Sequence, residues 1–447
     1  MSNHLPTDYQ AFIHKSRYAK YHEGFGRESW DDTVTRFSVN IIRDKVDGDT
    51  KYKLEQAILG LDIMPSMRGL MTAGAAADRD NTCMYNCSYL PVDDLKSFDE
   101  AMFILLCGTG VGFSVERQFV SKLPEVPQLF QSETNIVVKD SKEGWAKSFR
   151  QVIALLYSGE IPTWDVSKVR PAGAPLKTFG GRASGPAPLV DLFNFTIKTF
   201  KDAQGRKLSS VECHDIMCKI GEVVVVGGVR RSAMISLSNL SDDRMRHAKS
   251  GSWWENNPQR ALANNSVSYT EKPDSLSFMR EWMSLVESGS GERGIFNRQA
   301  SKKQAAKNGR RDENFEFGTN PCSEIILRPN QFCNLTEVVV RATDTIDTLS
   351  EKVRLATILG TIQSSFTKFP YLRKIWAKNT EEERLLGVSL TGIMDNPLMT
   401  LKNKGLEDTL AHLKGIAVDT NGIWADKLGV PRSTAITCVK PSGTVSQ

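Results

Sequence analysis

The stretch "TNPCSEIILRPNQFCNLTE" (Thr319–Glu337) decides how this chain is read. Asn320, Cys322 and Glu324 occupy alternate positions, and a second cysteine, Cys333, follows soon after. In an extended segment, residues two apart project to one face, so this spacing would present an amide, a thiol and a carboxylate together. Pro321 removes a backbone donor and biases Asn320 away from helix. The apolar Ile325-Ile326-Leu327 run would anchor the segment in a core. A thiolate nucleophile wants a histidine or a positive field beside it. Here the near neighbour is a carboxylate, which disfavours a papain-like role. A neutral thiol can instead lose a hydrogen atom, and the carboxylate can accept a substrate proton. The commoner fate of a cysteine is a small buried hydrophobe, and spacing alone leaves both readings open.

The chain around this stretch has 447 residues, enough for one large core or two to three ordinary domains. Hydrophobic residues make up 40% and charged residues 24%, the balance of a soluble globular enzyme. No apolar run reaches the length of a membrane span, and the polar start "MSNHLPTDYQ" lacks the apolar centre of a signal peptide. A cytoplasmic location is therefore expected. Eight cysteines are too few for a disulfide scaffold in a chain of this size. They read as free thiols, metal ligands or redox catalysts. The net charge of +5 is spread along the chain, which does not argue for nucleic acid but suits small polyanions such as nucleotides.

Helical patterns alternate with β-rich runs and glycine loops, which points to an α/β protein. "SFDEAMFILLCGTG" (Ser97–Gly110) reads as a helix opened by a Ser97/Glu100 capping box. "GWAKSFRQVIALLYSG" (Gly144–Gly159) and "PLVDLFNFTIKTFKDA" (Pro188–Ala203) read as amphipathic helices. "KIGEVVVVGGVRRSAMISLSNL" (Lys219–Leu240) reads as two β-rich runs around a loop. The "GTGVG" run follows a helix rather than a strand, so it fails as a dinucleotide-binding turn and reads as a tight packing turn. Cys83 and Cys87 have no matching pair at zinc spacing. Cys83, Cys107, Cys213, Cys218 and Cys438 are assigned to packing, and no metal site is expected.

"NPCSEI" resembles the active-site loop of ribonucleotide reductases, whose pattern is Asn-x-Cys-x-Glu. Other segments resemble that family in the same order: "NCSYLPVDD" (Asn86–Asp94), "LLCGTGVGFSVERQ" (Leu105–Gln118), "RPAGAPLKTFGGRASGPAPLVDLF" (Arg170–Phe193), "GGVRRSAMISL" (Gly227–Leu237) and "PSGTVSQ" (Pro441–Gln447). Of its branches, the monomeric adenosylcobalamin-dependent ribonucleoside-triphosphate reductases of class II are the nearest in pattern. The resemblance implies a ten-stranded α/β barrel with a central finger loop. It implies an N-terminal helical region over 1–64, a barrel over 65–447, and an effector-binding insertion at about 116–185. It implies that Cys322 becomes a transient thiyl radical and takes the 3′-hydrogen of the ribose. Glu324 would take the 3′-hydroxyl proton, Asn320 would hold the ribose hydroxyls, and Cys87 with Cys333 would form the reducing pair.

The remaining implied residues lie in loops. Ser442, Gly443, Thr444, Val445 and Ser446 would cradle the substrate phosphates with backbone N–H groups and hydroxyls. Ser66, in "MPSMRG", would contact substrate. Asp140, Ser141 and Lys142, in "VVKDSKEGWA", would meet the effector, and Lys177, Arg182, Arg230 and Arg231 would couple effector to substrate choice. The implied partners are a ribonucleoside triphosphate, a deoxynucleotide effector and thioredoxin or a similar dithiol. No membrane or direct nucleic-acid contact is expected.

Members of the family continue past the Pro-Ser-Gly-Thr loop, with further barrel strands, cobalamin-binding surface and a C-terminal cysteine pair. The expectation is therefore a barrel without its C-terminal strands, acting with a C-terminal fragment of the same enzyme. A class I large subunit served by a radical-generating partner, and a nucleotide-binding fragment inactive alone, are the competing expectations.

Overall fold

The computed structural model describes residues 4–22, 24–174, 182–226 and 234–440. The chain divides into two compact units. One comprises Cys87–Lys307 and Asp312–Gln331. The other comprises Met1–Asn86, Asn308–Arg311 and Phe332–Gln447.

The first unit is built on parallel strands β1 (Cys87–Pro91), β2 (Gly110–Ser114), β5 (Met234–Asn239), β6 (Asn264–Tyr269) and β7 (Gly294–Asn297), adjacent in that order. Each neighbouring pair is parallel. Every residue of β1 and β2 is buried, as expected of strands covered on both faces. Helix α1 (Lys96–Leu106) connects β1 to β2 and is buried at Ser97 and every later position, so its all-round apolar sequence fits a central helix. Leu95 stands at the N-cap and the Asp94 carboxylate accepts from the Lys96 N–H at 2.8 Å, while Ser97 and Glu100 lie inside the helix and are buried. The expected capping box is therefore absent, because the helix starts two residues earlier than the Ser/Glu spacing suggests. Gly108, at φ +83°, takes the left-handed conformation that ends it.

Between β2 and β5 a smaller βαβ element is inserted. Strands β3 (Phe130–Val137) and β4 (Glu160–Asp165) pair in parallel, joined by helix α2 (Lys142–Tyr157). Helix α3 (Ala187–Asp202) follows, with proline in its first turn. Phe149 of α2 stacks against Phe193 of α3 at 6.3 Å, and Trp164 of β4 meets Phe193 edge-on at 5.3 Å. Arg150 of α2 reaches fully buried Asp99 of α1 at 2.7 Å, tying the inserted element to the sheet's first helix.

Helix α4 (Ser210–Val226) corrects the reading of the valine run at 223–226 as β-rich. A buried helix end and a buried strand share one apolar signature, and no proline interrupts the chain between Ser210 and Val226, where the single glycine, Gly221, is carried within the helix. The second half of that reading holds, since β5 begins at Met234.

The unit ends in a short antiparallel hairpin, β8 (Gly318–Thr319) with β9 (Ile326–Leu327). Two glycines let it lie against the sheet. A Cβ on Gly112 of β2 would sit 1.9 Å from the Thr319 carbonyl oxygen, and a Cβ on Gly318 would enter the Tyr89 ring at 2.1 Å. The "GTGVG" run thus opens as the turn that ends α1, at Gly108, and continues as strand β2 from Gly110. Its last glycine, Gly112, is there to admit the hairpin's backbone.

The second unit carries β10 (Leu335–Val339), flanked in parallel by β11 (Gly387–Thr391) and antiparallel by Ile63–Met64. Thr437 continues it by a parallel bridge to Val388. Helix α5 (Ile346–Ser364) is buried over most of its length and packs on β10 and on α6 (Leu406–Leu428). Burying side chains such as Leu349, Ile358 and Ile362 is worth roughly 1.5–3 kcal/mol each. Asn421 of α6 donates to Thr361 and Ser433, which fixes the register of the helix pair. N-terminal helices Asp8–Ile13, Trp30–Phe37 and Gly48–Leu59 belong to this unit. Among the described residues no helix is long and apolar enough to cross a membrane.

Candidate active site

The hairpin between β8 and β9 carries Asn320, Cys322 and Glu324, and its tip is not extended. Ser323 N–H donates to the Asn320 carbonyl at 2.9 Å, closing a turn, and Ser323 stands at φ +65°. Pro321 suits the second position of such a turn because its φ is fixed. The turn replaces the alternation expected from spacing. It folds the chain so that Asn320 and Glu324 meet directly: the Asn320 amide donates to Glu324 Oε2 at 2.7 Å. Asn320 Oδ1 accepts from the Ile325 N–H at 3.0 Å, and the Thr319 hydroxyl bonds the Ile325 carbonyl at 3.1 Å. Asn320 is fully buried, Glu324 is half-buried, and Cys322 is exposed on the turn. The result is a carboxylate held by a buried amide beside an accessible thiol.

Cys87 opens β1 and is buried. Its register partner is Gly110, and that of Tyr89 is Gly112. Residues that pair across a sheet and alternate along a strand share a face. Tyr89 and Gly112 meet the hairpin, so Cys87 lies on the sheet face that the hairpin covers.

In the second unit, Cys333 is fully buried just ahead of β10. The preceding Phe332 packs among Tyr85, Phe369 and Trp376, with ring centroids 4.8–5.1 Å apart. The following Asn334 bonds Gly360 and Gln363. Gln363 in turn accepts from the Ser66 N–H at 3.0 Å, so Ser66 and the Cys333 segment meet through one buried glutamine. Ser66 is itself buried and caps the helix Met67–Thr72, with its hydroxyl donating to the Met84 carbonyl. Glu337, on β10, has its carboxyl raised above the usual range by burial.

In the inserted element, Ser141 caps α2 through Gly144 N–H, and Lys142 is the first residue of that helix. Lys142 Nζ lies 3.1 Å from Cys107 Sγ and over the Phe103 ring. Cys107 therefore has a cationic neighbour rather than wholly apolar surroundings. Asp140 pairs with Arg170 at 2.8 Å, and Arg182 is exposed and donates to the Gly173 carbonyl. Lys177, Arg230, Arg231, Ser442, Gly443, Thr444, Val445 and Ser446 lie outside the described residues. Cys83, Cys213 and Cys218 are buried, and Cys438 is partly exposed. Cys218 lies 3.6 Å from His214 Nε2, which is also 2.9 Å from Asn265. Burial alone would lower the His214 pKa. Cys218 and Asp215 outweigh it and hold the imidazole up to about 10.

Sequence reading passes over Gly318, Glu116 and Arg298. Gly318 adjoins the quoted motif and was open to notice. Glu116 and Arg298 lie 182 positions apart in sequence, and nothing local announces that they pair.

Residues 125–199 match the family model of the B12-dependent ribonucleotide reductase insertion domain. The chain is 26% identical to the adenosylcobalamin-dependent ribonucleoside-triphosphate reductase of Levilactobacillus brevis, over 97% of this chain and 71% of that protein. It is 28% identical to the enzyme of the same name from Lactobacillus leichmannii, with the same coverage. Among solved structures, a B12-dependent (class II) ribonucleotide reductase superposes with TM-score 0.83 at 23% identity, over 98% of this chain and 74% of that one. The class Id ribonucleotide reductase alpha subunit of Actinobacillus ureae reaches 0.59 at 12% identity, over 100% and 75%. The fold is the ribonucleotide reductase α/β barrel, nearer in shape to the class II example than to the class I one. Over 97% of its length the chain is similar to adenosylcobalamin-dependent ribonucleoside-triphosphate reductases.

Proposed function

We propose that the chain reduces ribonucleoside triphosphates to 2′-deoxyribonucleoside triphosphates for DNA synthesis, with adenosylcobalamin as cofactor. The observation that carries the proposal is the hairpin: an exposed thiol beside an amide-held carboxylate, laid on the sheet face that bears Cys87. The donor chemistry fits the cofactor. Cys322 is reachable at the turn by a bulky group, and a neutral thiol yields a hydrogen atom without charge separation. When bound, adenosylcobalamin supplies the organic radical that such a hydrogen transfer needs.

In this reading the Cys322 thiyl takes the 3′-hydrogen atom of the ribose and becomes a thiol again. Glu324 accepts the 3′-hydroxyl proton, its carboxylate aimed by Asn320. The 2′-hydroxyl leaves as water after protonation by a reducing thiol. The oxidation of two thiols to a disulfide delivers the two electrons, and Cys322 returns the hydrogen atom to C3′. Cys87 is one reducing thiol by its place on the hairpin's sheet face, and Cys333 is the other by family resemblance. Asp140, Ser141 and Lys142 are assigned to a deoxynucleotide effector, because the start of a 16-residue helix and a lysine favour phosphate. We further assign Ser66 and the 442–446 loop to substrate, thioredoxin or a similar dithiol to re-reduction, and the cytoplasm as the site of action. A C-terminal fragment of the same kind of enzyme is assigned as a partner by the family resemblance.

The test is deoxynucleotide formation with adenosylcobalamin, a dithiol and a deoxynucleotide effector, by the chain alone and with the C-terminal part of a relative. Product in either arm, dependent on adenosylcobalamin, supports the proposal. Product that requires a radical-generating protein subunit instead would overturn the cofactor assignment.

A further inference from the structure

Arg298 follows β7 directly and is 1% exposed. Its two terminal nitrogens donate to the two carboxylate oxygens of fully buried Glu116, at 2.8 and 2.5 Å. Its Nε donates to the Phe317 carbonyl at 2.7 Å. Phe317 is the residue immediately before the hairpin that carries Cys322. Glu116 stands just past β2 and is itself fixed by the Ser114 hydroxyl at 2.7 Å and the Gln118 amide at 3.0 Å. One planar guanidinium therefore joins the end of a central strand to the root of the hairpin. Only arginine offers donors in a fixed fork that can hold a carboxylate and a carbonyl together.

A buried ion pair is seldom a gain in stability over apolar residues of similar volume. Its geometry is what an apolar pair cannot copy. The hairpin is short, and Cys322 lies five residues beyond Phe317. A small swing at the root moves the sulfur by a comparable distance, and about 1 Å of misplacement can cost a hundredfold in rate.

We propose that Arg298, oriented by Glu116, is a positioning residue that sets the place of Cys322 by holding the hairpin at its root. The rate consequence rests on the function proposed above; the structural consequence does not. The test uses the full chain as R298K and as the double variant E116L/R298M. The double variant removes both charges, so no unpaired charge is buried, and R298K keeps the charge while losing the fork. Circular dichroism and thermal melting check folding. Amide hydrogen exchange over residues 317–327, the alkylation rate of Cys322 against a C322S control, and kcat and KM are then measured.

Both variants are expected to exchange at least about tenfold faster over 317–327, with β5 unchanged, and to alkylate Cys322 at an altered rate. The kcat is expected to fall about a hundredfold in the double variant, and less in R298K, with KM within about threefold. Wild-type exchange and alkylation in a folded variant would overturn the proposal. A wild-type chain without reductase activity would refute the functional reading, while exchange and alkylation still decide the hairpin's anchoring. If the double variant does not fold, R298K decides by the same measurements.

Discussion

Asn320 donates an amide N–H to Glu324, and its side-chain oxygen accepts from the Ile325 N–H, so the residue shapes the hairpin tip. That pairing was only half legible in sequence. The three residue types announced radical-capable thiol chemistry, but alternation placed them on an extended face. The turn at Ser323 brings an i,i+4 pair together instead. Two outcomes follow at this scale. C322S should abolish deoxynucleotide formation while nucleotide affinity, read by equilibrium dialysis, stays within about twofold. E324Q keeps the shape and the Asn320 contact but removes the base. It should lower kcat by about 10²–10⁴-fold with little change in KM, and an unimpaired kcat would remove Glu324 from the chemistry.

At the scale of elements, close backbone approach explains what composition left ambiguous. The glycine-rich run at 108–112 reads locally as a turn, and only the hairpin lying on β2 shows why a strand needs glycine there. The valine run at the end of α4 failed for a related reason, since burial erases periodicity. G112A forces a Cβ into the Thr319 carbonyl, and G318A forces one into the Tyr89 ring. Each should cost about 1–3 kcal/mol or displace the hairpin, seen as a lowered Tm or as lost activity with Tm retained. A variant unchanged in both would show that the hairpin does not lie against the sheet.

The segment leading into the helix Trp30–Phe37 carries a pH dependence. Burial alone would raise the Glu28 carboxyl. Its bonds to Arg36, the Lys20 N–H and His22 outweigh that and bring the pKa down to about 2. A carboxylate depressed in the folded state stabilises fully above its ordinary pKa near 4.5, and that stability is lost as pH falls toward 2. The loss amounts to roughly 3 kcal/mol. Arg36 also binds the carbonyls of Leu70 and Ala73, at the end of the helix that Ser66 caps. Acid between pH 4.5 and 2 should therefore loosen residues 18–36 and 66–73 in hydrogen exchange. E28Q should flatten that dependence.

At the scale of the molecule, the fold was legible because six short motifs stood in family order. The division into two units, and the long-range pair Glu116–Arg298, were not legible, since nothing local encodes a contact across so many intervening residues. The match of residues 125–199 to an insertion domain and the TM-score of 0.83 carry the fold assignment further than any one motif does. The central claim is that Cys322 is the radical-bearing thiol of a ribonucleotide reductase. Its most direct test is formation of 2′-deoxynucleoside triphosphate with adenosylcobalamin and a dithiol, by the wild-type chain and by C322S side by side, each also supplied with the C-terminal part of a relative. Product from the wild type and none from C322S is the predicted result. Equal product from both, or none from either in every arm, would contradict it.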